Sequence, residues 1–221
     1  MQRFVCEQNI SHFQKLLDGA ADPTLRHTLE SLLSTAKRDL ALLNAELQGA
    51  DGLPPKLRQH RMVDPLSIRE QLRRQFDHAP HPYMLIDPGP GLHILDVNDA
   101  YAAATFIRRD DVVGKPLFEV LPDNPDLENA DGVSNLYQSL SIVVKTGEPH
   151  AMAVQRYDIR APNGQFVERH WQPINTPIHD DTGKLVCLLH HVEDVTPAVL
   201  AEADREAARP SDRQLGGQPS H

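Results

Sequence analysis

Cysteine is scarce in this sequence, which has only Cys6 and Cys187 among its 221 residues. Two cysteines are too few for a disulfide framework, and their separation is far from any C-x-x-C metal spacing. No apolar run approaches the roughly 20 residues that span a bilayer. The first residues, MQRFVCEQNISHF, also lack the basic and then apolar pattern of a signal peptide. We therefore expect a cytoplasmic chain with no metal site and no membrane partner.

Positive charge is also in short supply. The chain carries 22 Lys and Arg against 31 Asp and Glu, which gives a net charge of -9. Residues 1–62 are nearly neutral, so the acidic excess lies in residues 63–221. A protein that binds nucleic acid or an anionic membrane needs a basic patch or stripe. Neither kind of partner is expected.

The common motifs of catalysis are missing. The sequence has no G-x-S-x-G nucleophile motif, and neither cysteine has an identifiable His or Asn setting. The glycine-containing stretch DPGPGLH (87–93) has neither the lysine nor the spacing of a phosphate-binding loop. We therefore expect a protein that is not an enzyme.

Residues 1–48 contain two helical seams, which are rows of apolar residues spaced three and four apart. Between them GAADP (19–23) supplies a glycine stop, an aspartate cap and a proline at the first helical position, which predicts a helical hairpin. The hairpin either buries its own seam or forms a coiled-coil-like dimerisation element. The seams consist of Cys6, Ile10, Phe13 and Leu17, and of Leu29, Leu33, Ala36, Leu40, Leu43 and Leu47.

Residues 49–64 mix Gly, Pro and charge without periodicity, which indicates a linker. PLSIREQLRRQF (65–76) predicts a short helix. Period-two patterns then predict strands at YMLID (83–87) and LHILDV (92–97), followed by an alanine-rich helix that begins at the cap candidates Asn98 and Asp99.

A longer helix is predicted from Asp131 to Gly147, with Asp131 as its cap and one apolar face. Three strands follow, separated by the turns PNG and DDTG, and a helix starts at Pro197. The prediction is an α+β fold, a five-stranded antiparallel sheet with helices on one face, preceded by an α-helical hairpin. The three strands are AMAVQRYDIRA (151–161), FVERHWQPINTPI (166–178) and LVCLLHHVEDVT (185–196).

Several of these motifs occur in the order found in one known family. FDHAPHPYMLID, ILDVNDAYAAAT, VGKPLFEVLP, the two turns and HHVEDVT together resemble a PAS domain over about residues 70–196. The resemblance divides the chain into a hairpin or oligomerisation segment (1–48), a linker (49–64), a PAS domain (65–196), a C-terminal signalling helix (197–209) and a disordered tail (210–221).

The resemblance implies a sensory and protein-interaction module with a cavity between its sheet and its helices. In such domains a change at the sheet passes into the flanking helix, and here the signal exit would be Asp194 and Thr196. A structural interpretation of the same residues is that Thr196 caps the helix and Asp194 adds charge at its N-terminus.

The stretch LLHHVEDVTP (188–197) concentrates two histidines and two acids. In a strand, adjacent side chains point to opposite faces, so Leu188, His190 and Val192 share one face while His191 and Glu193 share the other. Two adjacent histidines on opposite faces cannot chelate one metal. Phosphoacceptor histidines of kinases sit on a helix, so that interpretation does not fit a strand.

The sequence narrows the ligand without identifying it. The reactive cysteine of flavin photosensors is missing from NDAYAAATFIRRDD. The long helix has no histidine to serve as a haem ligand, although His150 follows the helix and leaves haem as an alternative. Alternation and the strand positions of the family give an inward face, on which Asn175 and His190 either bond each other or the backbone, or hold a ligand. A plain core role is the favoured alternative for Ile159, Trp171 and Val192. The ligand-binding candidates are Tyr157, Ile159, Trp171, Asn175, His190 and Val192.

Two functions remain open at this stage. The first is a non-catalytic sensory module that senses a small molecule or a partner state and passes it to flanking helices in signal transduction, as in two-component systems. The second is a ligand-free PAS dimerisation adaptor for a separate histidine kinase or regulator. A homodimer is expected in both cases.

Overall fold

The computed structural model describes residues 2–50, 52 and 76–208. Three predicted segments lie wholly or mostly outside the described residues. They are the linker, the helix at 65–76 apart from Phe76, and the C-terminal tail. Within the described part of the chain, no helix combines the length and apolar character needed to cross a membrane.

The N-terminal helices form the predicted hairpin. Helix α1 spans Gln2–Gly19 and helix α2 spans Pro23–Gln48. Asp22 caps α2, because its carboxylate accepts hydrogen bonds from the backbone N–H groups of Thr24 and Leu25. Pro23 occupies the first helical position, where its missing N–H costs nothing.

A six-stranded antiparallel sheet follows, with four helices on its concave side and one after it. The strands run in the order β2-β1-β8-β7-β3, and β4 also pairs with β7. A separate hairpin joins β5 to β6. The elements are β1 Tyr83–Ile86, β2 Ile94–Val97, α3 Asp99–Thr105, α4 Arg109–Val112, α5 Leu117–Val120, α6 Gly132–Thr146, β3 His150–Ala151, β4 Gln155–Arg156, β5 Ile159–Arg160, β6 Phe166–Val167, β7 His170–His179, β8 Leu185–Asp194 and α7 Thr196–Ala207.

The sheet has six strands rather than five because the predicted strand at 151–161 is broken into pieces. Ala151 pairs with Ile174 and Gln155 pairs with Trp171 of β7. Pro173 lies between these two partners, and a proline has no N–H to donate to a neighbouring strand. The edge therefore pairs on either side of Pro173.

Helix α2 is part of the domain's core. Ala41 and Ala45 are buried in the same cluster as residues of the sheet and of α6. Backbone hydrogen bonds tie the end of α2 to the β1–β2 turn, since Gly91 N–H donates to the Ala45 carbonyl and Ala50 N–H donates to the Pro88 carbonyl. The hairpin is thus anchored to the sheet domain through α2, whereas α1 has no buried residue.

Two predicted helix caps are wrong. Asp131 is at the N-cap position of α6 but makes no side-chain cap, and the Asp123 carboxylate accepts from Val133 N–H instead. Thr196 does not cap α7, because it is the first residue of that helix and its N–H donates to the Asp194 carboxylate. The caps come from the loop before α6 and from the end of β8 instead.

Candidate functional site

A cavity of about 50 Å³ lies between the sheet and the helices. That volume exceeds the roughly 10–15 Å³ that one water molecule needs and is about a third of an engineered cavity that holds benzene. Flavin and haem are far larger than this space. The lining residues come from α3, the α5–α6 segment, α6 and the strands β4, β5, β7 and β8: Tyr101, Thr105, Leu121, Gly132, Leu136, Met152, Gln155, Tyr157, Ile159, Trp171, Pro173, His190 and Val192.

Five of the six predicted site residues line this cavity. They are Tyr157, Ile159, Trp171, His190 and Val192. The predicted alternation along β8 is confirmed, because Leu188, His190 and Val192 are buried while Glu193 is exposed.

Asn175 is fully buried but is not among the lining residues. It sits directly opposite His190 in the β7–β8 ladder, and His190 Nδ1 lies 2.7 Å from Asn175 Oδ1. The two residues bond each other, which was one of the alternatives left open by the sequence. Asn175 therefore orients the His190 ring through the bond to Nδ1.

The polar contacts continue away from the cavity to helix α6. Asn175 Nδ2 donates to Ser139 Oγ at 2.7 Å, and Ser139 Oγ lies 2.8 Å from His150 Nδ1. Ser139 is buried on the apolar face of α6, three residues after Leu136. We call this series, His190, Asn175, Ser139 and His150, the polar chain. It joins the cavity wall to both α6 and the sheet edge.

The orientation of the Asn175 amide fixes the protonation of His190. Asn175 Nδ2 also points at Met152 Sδ, which can only accept. The amide oxygen must then face His190, so His190 Nδ1 carries the proton and donates. Burial, with a smaller effect from His191, lowers the pKa of His190 to about 3. His190 is neutral, and its Nε2 is an unprotonated acceptor.

Two tyrosines complete the wall. The Tyr157 hydroxyl donates to the Leu121 carbonyl, and its ring fills the space beside Gly132. A Cβ at Gly132 would overlap that ring, so only glycine fits there. Tyr101 is buried against His190, with their ring centroids 6.1 Å apart. Burial raises the pKa of both tyrosines, which stay neutral donors.

Tyr101, Ser139 and Met152 are among the contributors to this site that the sequence prediction missed. Ser139 had a signal, since it is a polar residue at helical spacing from Leu136 and Val143 on the apolar face of α6. Tyr101 lies on a short alanine-rich helix without a clear period. Met152 is in the irregular edge strand, where alternation breaks down.

Comparison with known proteins identifies the family. A model of the PAS fold matches residues 76–200. The chain belongs to the PAS fold family. Comparison with curated proteins gave no match.

Several solved structures are similar to this chain at low sequence identity. The PAS domain of BvgS from Bordetella pertussis is 20% identical, with a TM-score of 0.42, covering 65% of this chain and 99% of that chain. A PAS domain from Colwellia psychrerythraea is 15% identical, with a TM-score of 0.44, covering 59% and 98%. VqmA bound to DPO is 21% identical, with a TM-score of 0.42, covering 60% of each chain.

The predicted signal exit of this PAS domain lies where β8 meets α7. Thr196 Oγ1 accepts from His170 N–H at 2.8 Å, and Asp194 Oδ2 lies 3.4 Å from Arg169 Nε. Asp194 also caps α7 through the Thr196 N–H. The start of α7 is therefore bonded to the start of β7 as well as to the end of β8.

The outer face of the PAS sheet carries His191. Its ring contacts His81 and Tyr83, with centroid distances of 5.7 and 5.1 Å. Burial, followed by the nearby His81, lowers the pKa of His191. Among the described residues, no group of three or more His, Cys, Asp or Glu side chains is placed to hold a metal ion.

Proposed function

We propose that this PAS domain is a sensory module in which occupancy of the cavity by a small molecule alters the flanking helices. The observation that carries the proposal is the polar chain, because it begins at the cavity wall in His190 and reaches α6 through Asn175 and Ser139. Family membership supports the broader role in sensing and signalling.

A ligand changes such a domain only if it binds two conformations unequally. A group that bonds His190 Nε2 makes the His190 ring a better donor to Asn175, and that bond orients Ser139 on α6. The same strand, β8, carries His190 and ends at Asp194, two residues before α7 begins at Thr196. We therefore propose Asp194 and Thr196 as the exit through which β8 biases α7.

Several further properties belong to this proposal. The domain acts without catalysis, and Tyr157, Ile159, Trp171, His190 and Val192 contact the ligand while Asn175 positions His190. Its output goes to a partner kinase or regulator in the cytoplasm, as in two-component signalling, with the chain acting as a homodimer.

The first experiment is a native mass spectrum together with an absorbance spectrum of the purified full chain. The sensory proposal predicts a small adduct in the native spectrum that disappears under denaturing conditions, or uptake of an added small molecule that shifts resonances of α6 and α7. A chain whose cavity takes up no tested molecule would contradict it.

An adaptor that works by dimerisation is the second candidate, and a separate observation favours it. Large apolar side chains of the hairpin are exposed although both helices have packed: Phe4, Val5, Leu16, Leu25, Leu32, Leu42 and Leu47. A second copy of the chain would cover them, in keeping with the expected homodimer. A monomeric chain in sedimentation experiments would remove this candidate.

A further inference from the structure

Most polar groups that line the cavity already have partners. Thr105 Oγ1 donates to the Tyr101 carbonyl, Trp171 Nε1 donates to the Tyr157 carbonyl, and the Tyr157 hydroxyl donates to the Leu121 carbonyl. The Gln155 amide donates to Ala153 and accepts from Asn135. The hydrogen-bond donors of these groups are therefore already used within the protein.

Two polar atoms of the cavity lining are different. Among the described residues, no hydrogen bond is made by His190 Nε2 or by the Tyr101 hydroxyl, and these residues are only 4% and 2% exposed. A polar group with so little access to water is stabilised when it gains a partner. Both residues line the cavity, so a molecule inside it can supply the missing bonds.

The two atoms have opposite requirements. His190 Nδ1 donates to Asn175, which leaves Nε2 as an acceptor that needs a donor from the ligand. The Tyr101 hydroxyl keeps its proton and can donate to an acceptor on the ligand. The ring centroids of the two residues are 6.1 Å apart, so one small molecule can reach both.

Charge is disfavoured in this space. No Asp, Glu, Lys or Arg is among the described residues that line the cavity. Asp123, whose Oδ1 accepts from Val133 N–H, is not among the lining residues. An ion buried without a counter-ion is strongly destabilised, so a carboxylate or an ammonium group is a poor ligand here.

We propose that the cavity recognises a compact, uncharged molecule that carries a hydrogen-bond donor for His190 Nε2 beside an acceptor for the Tyr101 hydroxyl. Small N–H heteroaromatic rings and small hydroxylated compounds have this chemistry, and the apolar remainder of the wall suits a ring of about five heavy atoms. The inference rests on the proposed function, since it names the class of ligand for the same cavity.

Three five-membered rings of nearly equal size separate the features that matter. Pyrazole has a donor and an adjacent acceptor, pyrrole has a donor only, and furan has no donor. Each would be titrated into the full chain, with binding followed by amide chemical shifts and by the ¹⁵N shift of His190 Nε2. One neutral hydrogen bond changes affinity about 2- to 10-fold, so we expect pyrazole to bind more tightly than pyrrole, and pyrrole more tightly than furan.

Two variants assign the bonds to residues. In Tyr101→Phe, pyrazole should lose its advantage over pyrrole, while pyrrole keeps its advantage over furan. In His190→Leu, pyrrole should bind no better than furan. The matched control is His191→Leu, on the opposite face of the same strand, which should retain the order of the three rings. Tyr101→Phe keeps the ring packing, so it tests the inference even if His190→Leu does not fold.

The outcomes distinguish the ligand class from the function. Binding of furan as tight as that of pyrazole, or binding of acetate or guanidinium at these residues, would overturn the ligand class and leave a sensory cavity in place. An unchanged His190 Nε2 shift on pyrazole binding would also overturn it. If no ring perturbs the cavity residues, both the inference and the proposed function are wrong.

Discussion

His190 links the sequence motif to the cavity. It lies on the inward face of β8, its Nδ1 is held by Asn175, and its Nε2 is left for the cavity. Because the imidazole is buried, its pKa falls to about 3, well below the ordinary value near 6.5. Below about pH 6.5 the folded protein therefore keeps His190 neutral, whereas the unfolded chain protonates it.

This difference predicts a loss of stability in mild acid. Above about pH 6.5 both states hold His190 neutral, and between about pH 6.5 and pH 3 only the unfolded state binds the proton. Lowering the pH from 7 to 5 should then reduce the free energy of unfolding by about 2 kcal/mol more in the unchanged chain than in His190→Gln. Urea unfolding at each pH measures it.

His191→Gln is the matched control, because His191 is on the outer face and partly exposed. That variant should keep most of the acid sensitivity. Parallel pH dependences in the unchanged chain and His190→Gln would show that the buried imidazole is not the cause.

At the scale of elements, α2 is attached to the sheet domain by close backbone contact. Gly49 ends the helix with φ of +64°, and a Cβ there would overlap the backbone of Gly89. The Tyr137 hydroxyl of α6 also donates to the Gly49 carbonyl at 3.2 Å. The approach depends on glycine for both its conformation and its size.

Gly49→Ala should therefore loosen α2 from the β1–β2 turn. Left-handed backbone strain and the overlap with Gly89 together should lower the free energy of unfolding by about 2 to 4 kcal/mol. Gly19→Ala is the matched control, since a Cβ at Gly19 would meet no atom of the described residues within 4 Å and Gly19 has no positive φ.

Gly52→Ala separates the two contributions, because Gly52 has φ of +61° and no atom of the described part of the chain would lie within 4 Å of a Cβ there. It should show the strain without the overlap, and so a smaller loss in urea unfolding. Equal losses at Gly49 and Gly19 would mean that α2 is not held by this contact.

At the scale of the whole molecule, the hairpin has two different roles. The second half of α2 closes the core through Ala41 and Ala45, whereas α1 and the outer side of α2 leave large apolar side chains in solvent. Deleting residues 1–62 would remove core residues along with the exposed surface. Point changes are the cleaner test of self-association.

Phe4→Glu combined with Leu32→Glu should weaken the expected homodimer at least about tenfold, because charged groups at an apolar interface lose their hydration. Sedimentation equilibrium measures the dissociation constant, and thermal unfolding should confirm that the fold is retained. Val154→Glu is the control, as Val154 is exposed on the sheet domain. A monomeric unchanged chain would contradict the dimer.

The sequence by itself determined most of the helices and strands and the two faces of β8. Alternation placed His190 inside and His191 outside, and cap and turn residues placed the hairpin, because these features depend on local periodicity and on backbone chemistry at each position. The PAS resemblance gave the order of the elements and the region of the cavity.

Only the tertiary structure decided which groups meet. Ser139 and Asn175 are 36 residues apart in sequence yet bond each other, and Asp123 caps α6 from a loop. The break in the edge strand beside Pro173, the docking of α2 and the size of the cavity also follow from contacts between distant segments. Local patterns set the direction in which a side chain points, but its partner depends on how the elements pack together.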